Sequence, residues 1–383
     1  MVNESIHDKI IKVAHNMKKF GMKSALALIA ATSLLIAGCG NGNNGEASPS
    51  PAASGSASPS APTGSPSKLV VSSFGGAYEE TQKELVKKFE QDNNATVEFV
   101  TLYSADALAR IRAEKGNPSI DVVQFSGGQE SVAGQEDLIL KPDAGKLTNG
   151  ADLYESASDP NGYAPSYAFD ALGIIYNEEQ IATPPTSWQD LWNPAYKGSV
   201  GLVDISNSFG LQFIVAAAKM KGGDESNIQP GLDAIKELLP NAAAIVKSTP
   251  EVGNLFAQEE ATIAAYDSGY AFTFRQQGQP IKFASPSEGA IGTFISAQVV
   301  KGTKNEELAT KFVDFLLNAD VQKTFAEKNG YAPTNKKVEL SEDLQAVMPY
   351  GEEAVNKLVR LNADLVNANK AAWTEEWNKL ISQ

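Results

Sequence analysis

From Lys68 onward the apolar positions of this chain recur with two alternating spacings. Short β-branched runs such as Leu69-Val70-Val71 give way to stretches in which Leu85, Val86 and Phe89 share one helical face. The pattern predicts strands over 68–72, 95–100, 120–125, 171–176, 199–204 and 261–266. It predicts helices over 78–91, 105–115, 209–221, 231–239, 306–317 and 319–328, and a helical C-terminus over 351–381. Gly75-Gly76 and Ser126-Gly127-Gly128 close the first and third strands as turns. Strand and helix in alternation, with short turns between them, predict an α/β protein whose mainly parallel sheet is covered on both faces. Ligands of such sheets sit at the carboxyl ends of strands, where these glycine-rich loops lie.

The first 67 residues follow a different pattern. Lys18, Lys19 and Lys23 precede a weakly polar to apolar run over 25–37, too short to span a bilayer as a mature helix but suited to a signal-peptide core. Met17 and Met22 are alternative starts, since residues 1–16 add nothing a signal needs. The run ends Leu35-Ile36-Ala37-Gly38-Cys39, which resembles the lipobox of bacterial lipoproteins and implies lipidation of Cys39 and cleavage after residue 38. The other reading is a free cysteine behind an ordinary signal peptide. Residues 40–67 are almost wholly Gly, Asn, Ser, Ala, Pro and Thr, so they cannot bury a core and read as a disordered tether holding the body off a membrane.

Composition narrows the function by exclusion. The chain has 383 residues, enough for two domains, and a net charge of −14, a balance that does not supply the basic surface nucleic acid requires. Removing residues 1–38 takes away more lysines than acids and leaves the body more acidic still. The only Cys is Cys39 and the only His are His7 and His15. Past residue 39, disulfides, Cys/His zinc sites and Ser-His-Asp or Cys-His catalysis are therefore excluded. Paired carboxylates in a secreted hydrolase remain the one acid–base chemistry available, and no Asp/Glu pair in the sequence points to a sugar cleft.

Several segments carry a family resemblance. Ser73-Phe74-Gly75-Gly76-Ala77-Tyr78 follows the first strand, and Thr186-Ser187-Trp188-Gln189-Asp190-Leu191-Trp192 and Tyr196-Lys197-Gly198-Ser199 stand mid-chain. Phe274-Arg275-Gln276-Gln277-Gly278 and the stretch from Phe315-Leu316-Leu317-Asn318-Ala319-Asp320-Val321-Gln322 to Gly330-Tyr331-Ala332-Pro333-Thr334-Asn335 follow in order. In order and spacing these resemble the substrate-binding proteins of bacterial ABC importers, and among them the spermidine/putrescine-binding branch. The resemblance implies a type II periplasmic-binding-protein fold: one lobe from 68–167 and 296–350, a second from 168–295, and a ligand cleft between them, with 351–383 as a C-terminal helical segment. It implies a monomer that captures a small amine-containing solute and delivers it to a membrane permease, with no catalytic residue, cofactor or metal site.

The resemblance places five positions at that cleft. Phe74, Gly75 and Gly76 would let the backbone approach a ligand under a stacking ring; alternatively they form a tight turn. Ser126 and Gly127 would offer backbone N–H donors. Asp204, Ser206 and Ser208 precede a helix, where a serine is either an N-cap or part of an anion site. Tyr266, Asp267 and Tyr270 would form an aromatic wall with a carboxylate for a cationic group. Thr293 and Phe294 lie near the second crossing between lobes. The chain departs from the polyamine pattern, because Trp188, Trp192, Trp373 and Trp377 fall in helix-like segments outside the cleft and Ser206-Asn207-Ser208 stands where further acids are usual. An amino acid or 4-aminobutyrate-like zwitterion therefore stays open beside a polyamine. Ferric iron is a further alternative, disfavoured by the four-residue spacing of Tyr266 and Tyr270.

Overall fold

The computed structural model describes residues 65–159 and 161–382; Cys39, the signal segment and most of the tether lie outside the described residues. Ten strands form one sheet, with the order β2-β1-β3-β9-β4-β7-β5-β6 and with β8 and β10 pairing β4 off that path. The strands are β1 (Ser67–Ser73), β2 (Ala95–Thr101), β3 (Val122–Ser126), β4 (Ser166–Asn177), β5 (Val200–Val203), β6 (Ala242–Val246), β7 (Ile263–Asp267), β8 (Ile281–Ala284), β9 (Ile291–Val299) and β10 (Ala332–Pro333). At one end β1 runs parallel to β2 and β3, and at the other β5 runs parallel to β6 and β7. The middle differs from the mainly parallel expectation, since β9 is antiparallel to both β3 and β4, and β4 is antiparallel to β7. The cause is topological: β4 carries the chain out of the first strand group and β9 carries it back, so the two crossings run in opposite directions.

Most elements sit within a few residues of their expected places. The helices Gly76–Asn93, Ser104–Ala113, Ser208–Met220, Gln229–Leu238, Glu306–Leu316 and Ala319–Asn329 match the six predicted ones. The sequence reading did not contain β6, β8, or the helices Thr249–Ala257 and Ser268–Gln276. β6 is an alanine-rich edge strand, whose small side chains carry little periodic signal.

The C-terminus is not one helix. Glu352–Asn356 and Ala363–Ile381 are separated by an extended stretch that lies along the start of β9. There Val359 donates its N–H to the Ala290 carbonyl (2.9 Å) and accepts from the N–H of Gly292 (3.0 Å). Gly289 makes this approach possible: its φ is +101°, and a Cβ there would lie 2.5 Å from the Lys357 carbonyl oxygen. The last helix then buries Trp373 and Trp377 in the apolar cluster of Trp188, Ile205, Leu211 and Ile214. The C-terminal segment is thereby packed into the second strand group.

Candidate ligand cleft

A cavity of about 560 Å³ opens where the two strand groups meet. Its lining comes from the Gly127-Gly128 loop after β3 with Glu130, from Ser208 and Gln212 on the helix after β5, from Ile291 to Phe294 of β9, and from Arg360 and the chain behind it. These are strand-end loops and helix starts, which the parallel groups direct to one edge of the sheet.

Beside the β9 wall lie two carboxylates. Thr293 of the cavity pairs with Asp170 of β4, while Leu172, two residues on, pairs with Asp267 at the end of β7. Paired and next-but-one positions share a face, so Asp170 and Asp267 project together. A Cβ on Gly269 would stand 3.0 Å from Asp170 Oδ1 and 3.1 Å from Asp267 Oδ1, so a side chain there would crowd both acids. Asp267 Oδ1 accepts from the Gly269 N–H at 2.9 Å and caps the following helix. Asp170 Oδ1 and Asp267 Oδ2 are sealed from solvent and have no hydrogen-bond partner. Burial pushes the Asp267 carboxyl up to about 7, and burial together with the neighbouring Asp267 charge pushes Asp170 well above the usual carboxylate range. The Tyr331 hydroxyl is also pushed up, by its burial and then by the charges of Asp170 and Asp267.

This raised pair has a stability signature. An unfolded aspartate loses its proton near pH ~3.9, so between there and about 7 the folded state binds more protons at Asp267 than the unfolded state does. Stability from the pair is then present at low pH and lost as pH rises through the folded value. We expect the melting temperature of wild type, minus that of the Asp170→Asn/Asp267→Asn double variant, to fall between about pH 4 and pH 8. A difference that rises over that interval would contradict the assignment.

The other sequence candidates divide into two groups. Gly127, Ser208, Thr293 and Phe294 line the cavity. Phe74 is half-buried with its ring 5.1 Å from Tyr78, which in turn meets Tyr331 edge-on at 5.6 Å. Gly75 and Gly76 open the Gly76–Asn93 helix, and the N–H of Ser126 donates to Ser104 Oγ. Tyr270 is half-buried, with its ring 5.6 Å from that of Tyr266. Asp204 is committed internally: its Oδ2 accepts from the Trp377 indole at 2.9 Å and its Oδ1 from the Ser206 N–H at 2.9 Å. Tyr266 is fully buried among Phe209, Tyr270 and Phe274, with its hydroxyl 2.7 Å from Thr249 Oγ1. Strand alternation explains this, because consecutive β7 residues point to opposite faces, so Tyr266 and Asp267 do not share a wall. The helix after β5 is capped by Asn207, which accepts from the Phe209 N–H at 3.0 Å; Ser206 is exposed and Ser208 is the first helical residue.

A family model described as bacterial extracellular solute-binding protein matches residues 117–357. The chain belongs to that family. It is 32% identical over 260 residues to the spermidine/putrescine-binding periplasmic protein of Escherichia coli (strain K12), covering 66% of this chain and 74% of that one. It is 26% identical over 277 residues to a gamma-aminobutyric acid-binding protein of Pseudomonas aeruginosa, covering 70% and 77%. Among solved structures, a spermidine/putrescine ABC transporter substrate-binding protein from Streptococcus pneumoniae superposes with a TM-score of 0.67 at 22% identity, covering 83% of this chain and 98% of that one. The α/β class and the two-lobed binding-protein fold are those expected from the sequence.

As a solute-binding protein the chain is the extracellular, non-enzymatic component of an ABC transporter, a class that binds a small molecule and a membrane permease. The hydrolase alternative falls with that membership. Among the described residues no helix is long and apolar enough to cross a membrane. Three charged groups at or beside the binding-protein cleft were absent from the sequence candidates: Asp170, Glu130 and Arg360. Asp170 stands in the interior of an otherwise apolar strand run, Ala168 to Tyr176, and that break in the run was the available signal. Glu130 follows a predicted turn, and Arg360 lies in a segment with no motif.

Proposed function

We propose that this solute-binding protein captures a small amine-bearing solute, with its ammonium group held at Asp267 and Asp170, and hands it to the permease from a lipid-anchored position outside the membrane. The observation that carries this is the buried carboxylate pair, in which Asp170 Oδ1 and Asp267 Oδ2 have no partner. Buried carboxylate oxygens without donors cost free energy unless a proton or another cation meets them, and an ammonium group supplies charge and N–H donors together. The spermidine/putrescine and gamma-aminobutyric acid names of relatives support an amine without choosing between diamine and zwitterion. The two lobes of this reading are 68–167 with 296–350, and 168–295, hinged at β4 and β9. Phe74 and Tyr270 complete the walls.

Calorimetric titration of the purified protein with putrescine, spermidine and 4-aminobutyrate tests the amine assignment; failure of all three to bind would sink it. The anchor has its own test. Cys39→Ala should release the protein from membranes while the body stays folded, and retention of that variant in the membrane fraction would count against lipidation.

A further inference from the structure

The cavity contains a cation whose hydrogen-bonding capacity the rest of the chain leaves largely unused. Arg360 lines it, with the guanidinium carbon 3.5 Å from the centre of the Phe294 ring. Its Nη2 donates to the Ser156 carbonyl at 2.7 Å, and no other hydrogen bond or ion pair engages it among the described residues. A guanidinium has five N–H donors in a planar fork, so one bond leaves donors for the two parallel bonds that a carboxylate accepts. The backbone on either side is fixed, because Val359 is bridged to Ile291 and the Asn362 N–H donates to Glu225 Oε1 at 3.0 Å. The Phe294 ring supports the guanidinium itself.

Two long helices begin at the same cavity. Ser208 opens Ser208–Met220 and Ala363 opens Ala363–Ile381, and both residues line it. The first turn of a helix leaves N–H groups without partners in the helix, and the caps Asn207 and Asn362 each accept from one of them, Phe209 and Leu365. Aligned peptide dipoles give each helix start a partial positive charge, which adds to that of Arg360. The acids of the lining do not cancel this charge. Asp364 and Lys370 are both exposed and of opposite sign, and Asp159 is half-exposed. Glu130 is buried, its Oε2 has no partner, and burial pushes its carboxyl up toward the neutral form, which has an O–H to donate. Burial also pulls the Arg360 guanidinium down from its usual range, against the charges of Glu130 and Asp159, so it is a poorly hydrated cation that gains from an anionic partner.

The buried carboxylate pair is not part of this site. Neither Asp170 nor Asp267 lines the cavity, and Thr293, which pairs with Asp170, and Phe294, which carries Arg360, project to opposite faces of β9. Leu211, Ile291, Leu361 and Val366 supply apolar surface to the same lining as Arg360. We infer that the cavity is a binding site in its own right for a small aliphatic carboxylate, whose charged end is received by Arg360 and whose hydrocarbon stem lies against these apolar side chains. At about 560 Å³ it has the size of sites that take small molecules whole. The inference goes beyond the ammonium reading of Asp267 and Asp170 and does not draw on it.

The test is calorimetry on the purified protein with matched acids and amides: butyrate and butyramide, hexanoate and hexanamide, 4-aminobutyrate and 4-aminobutyramide, with putrescine alongside. Each pair differs in the carboxylate alone. Wild type should bind at least one acid roughly thirtyfold or more tightly than its amide, and Arg360→Gln should erase that preference by weakening the acid to the level of the amide. Arg360→Lys, which keeps the charge but not the fork, should retain part of the preference, and it carries the test if the glutamine variant melts early. Asp267→Asn, which should lose amines, should keep the preference for butyrate or hexanoate over its amide. Acids bound no better than their amides, or a preference unchanged in both Arg360 variants, would overturn the proposal. Loss of the butyrate or hexanoate preference in Asp267→Asn would also overturn it, since the two groups would then belong to one site. Acids bound through Arg360, with no amine bound through Asp267, would leave this site standing and remove the ammonium reading. Amines bound through Asp267, with no preference for acids, would do the reverse, and no binding by any titrant would overturn both.

Discussion

Asp267→Asn is expected to weaken capture of an ammonium-bearing solute by roughly tenfold to a thousandfold. Removing one partner of a buried charge-assisted pair costs about 2–5 kcal/mol, and ~1.4 kcal/mol is a decade in affinity. The substitution is nearly isosteric. Its side-chain oxygen can still accept from the Gly269 N–H, so the cap on the Ser268–Gln276 helix is retained. What disappears is the charge at Oδ2, which no group of the protein satisfies. The neighbouring Asp170 remains as an acceptor, so the loss can fall at the lower end of that range. Stability should move the other way at alkaline pH, because a carboxyl whose folded value is raised opposes folding once it ionises. Calorimetry and thermal melts on the same samples separate the two effects: affinity lost with melting temperature kept or raised above about pH 7. Unchanged affinity for every amine that wild type binds would remove Asp267 from the site.

Trp377→Ala is expected to cost about 3–5 kcal/mol of unfolding free energy, the range for deleting a large aromatic side chain from a packed core. Trp377 is fully buried in the cluster with Trp188, Leu211 and Ile214. Its indole N–H also supplies the donor for Asp204 Oδ2, so truncation both opens a cavity and leaves a buried carboxylate oxygen unpaired. Leu365→Ala on the exposed side of the same helix is the control and should change stability by less than about 0.5 kcal/mol. Urea unfolding followed by fluorescence measures both. A loss under about 1 kcal/mol for Trp377→Ala would mean that the last helix is not part of the cooperative core.

The paired tests bear on one feature of the fold. The stretch after Asn356 crosses to β9, delivers Arg360 to the cavity, and is then locked by Trp373 and Trp377 into the second strand group. A segment that reads in the sequence as a helical appendix thus contributes both to a wall of the cavity and to the core behind it.

Local chemistry made much of this legible without coordinates. The period of apolar residues and the glycines at strand ends are encoded within a dozen neighbouring positions, so the order of strands and helices and the loops at Gly75 and Gly127 could be read directly, whereas the cap expected from Ser206 or Ser208 is supplied by Asn207 between them. Asp267 was singled out from the family resemblance, at the acid that closes an apolar strand. Family membership followed from ordered motifs spread across the body. Which side chains share a face, by contrast, depends on pairings between distant segments: Leu172 opposite Asp267 brings Asp170 and Asp267 together, and Phe169 opposite Phe294 fixes the ring beneath Arg360. A shift of one residue in either pairing would turn those carboxylates to the opposite face. The same dependence took Asp204 and Tyr266 out of solvent, because the groups that engage them, Trp377 and Thr249, belong to other elements. Sequence determined the elements and their class, since these follow from short-range sterics and burial. Only the tertiary structure decided the charges of the cleft, since a charge has meaning there through the neighbours that desolvate it or leave it unpaired.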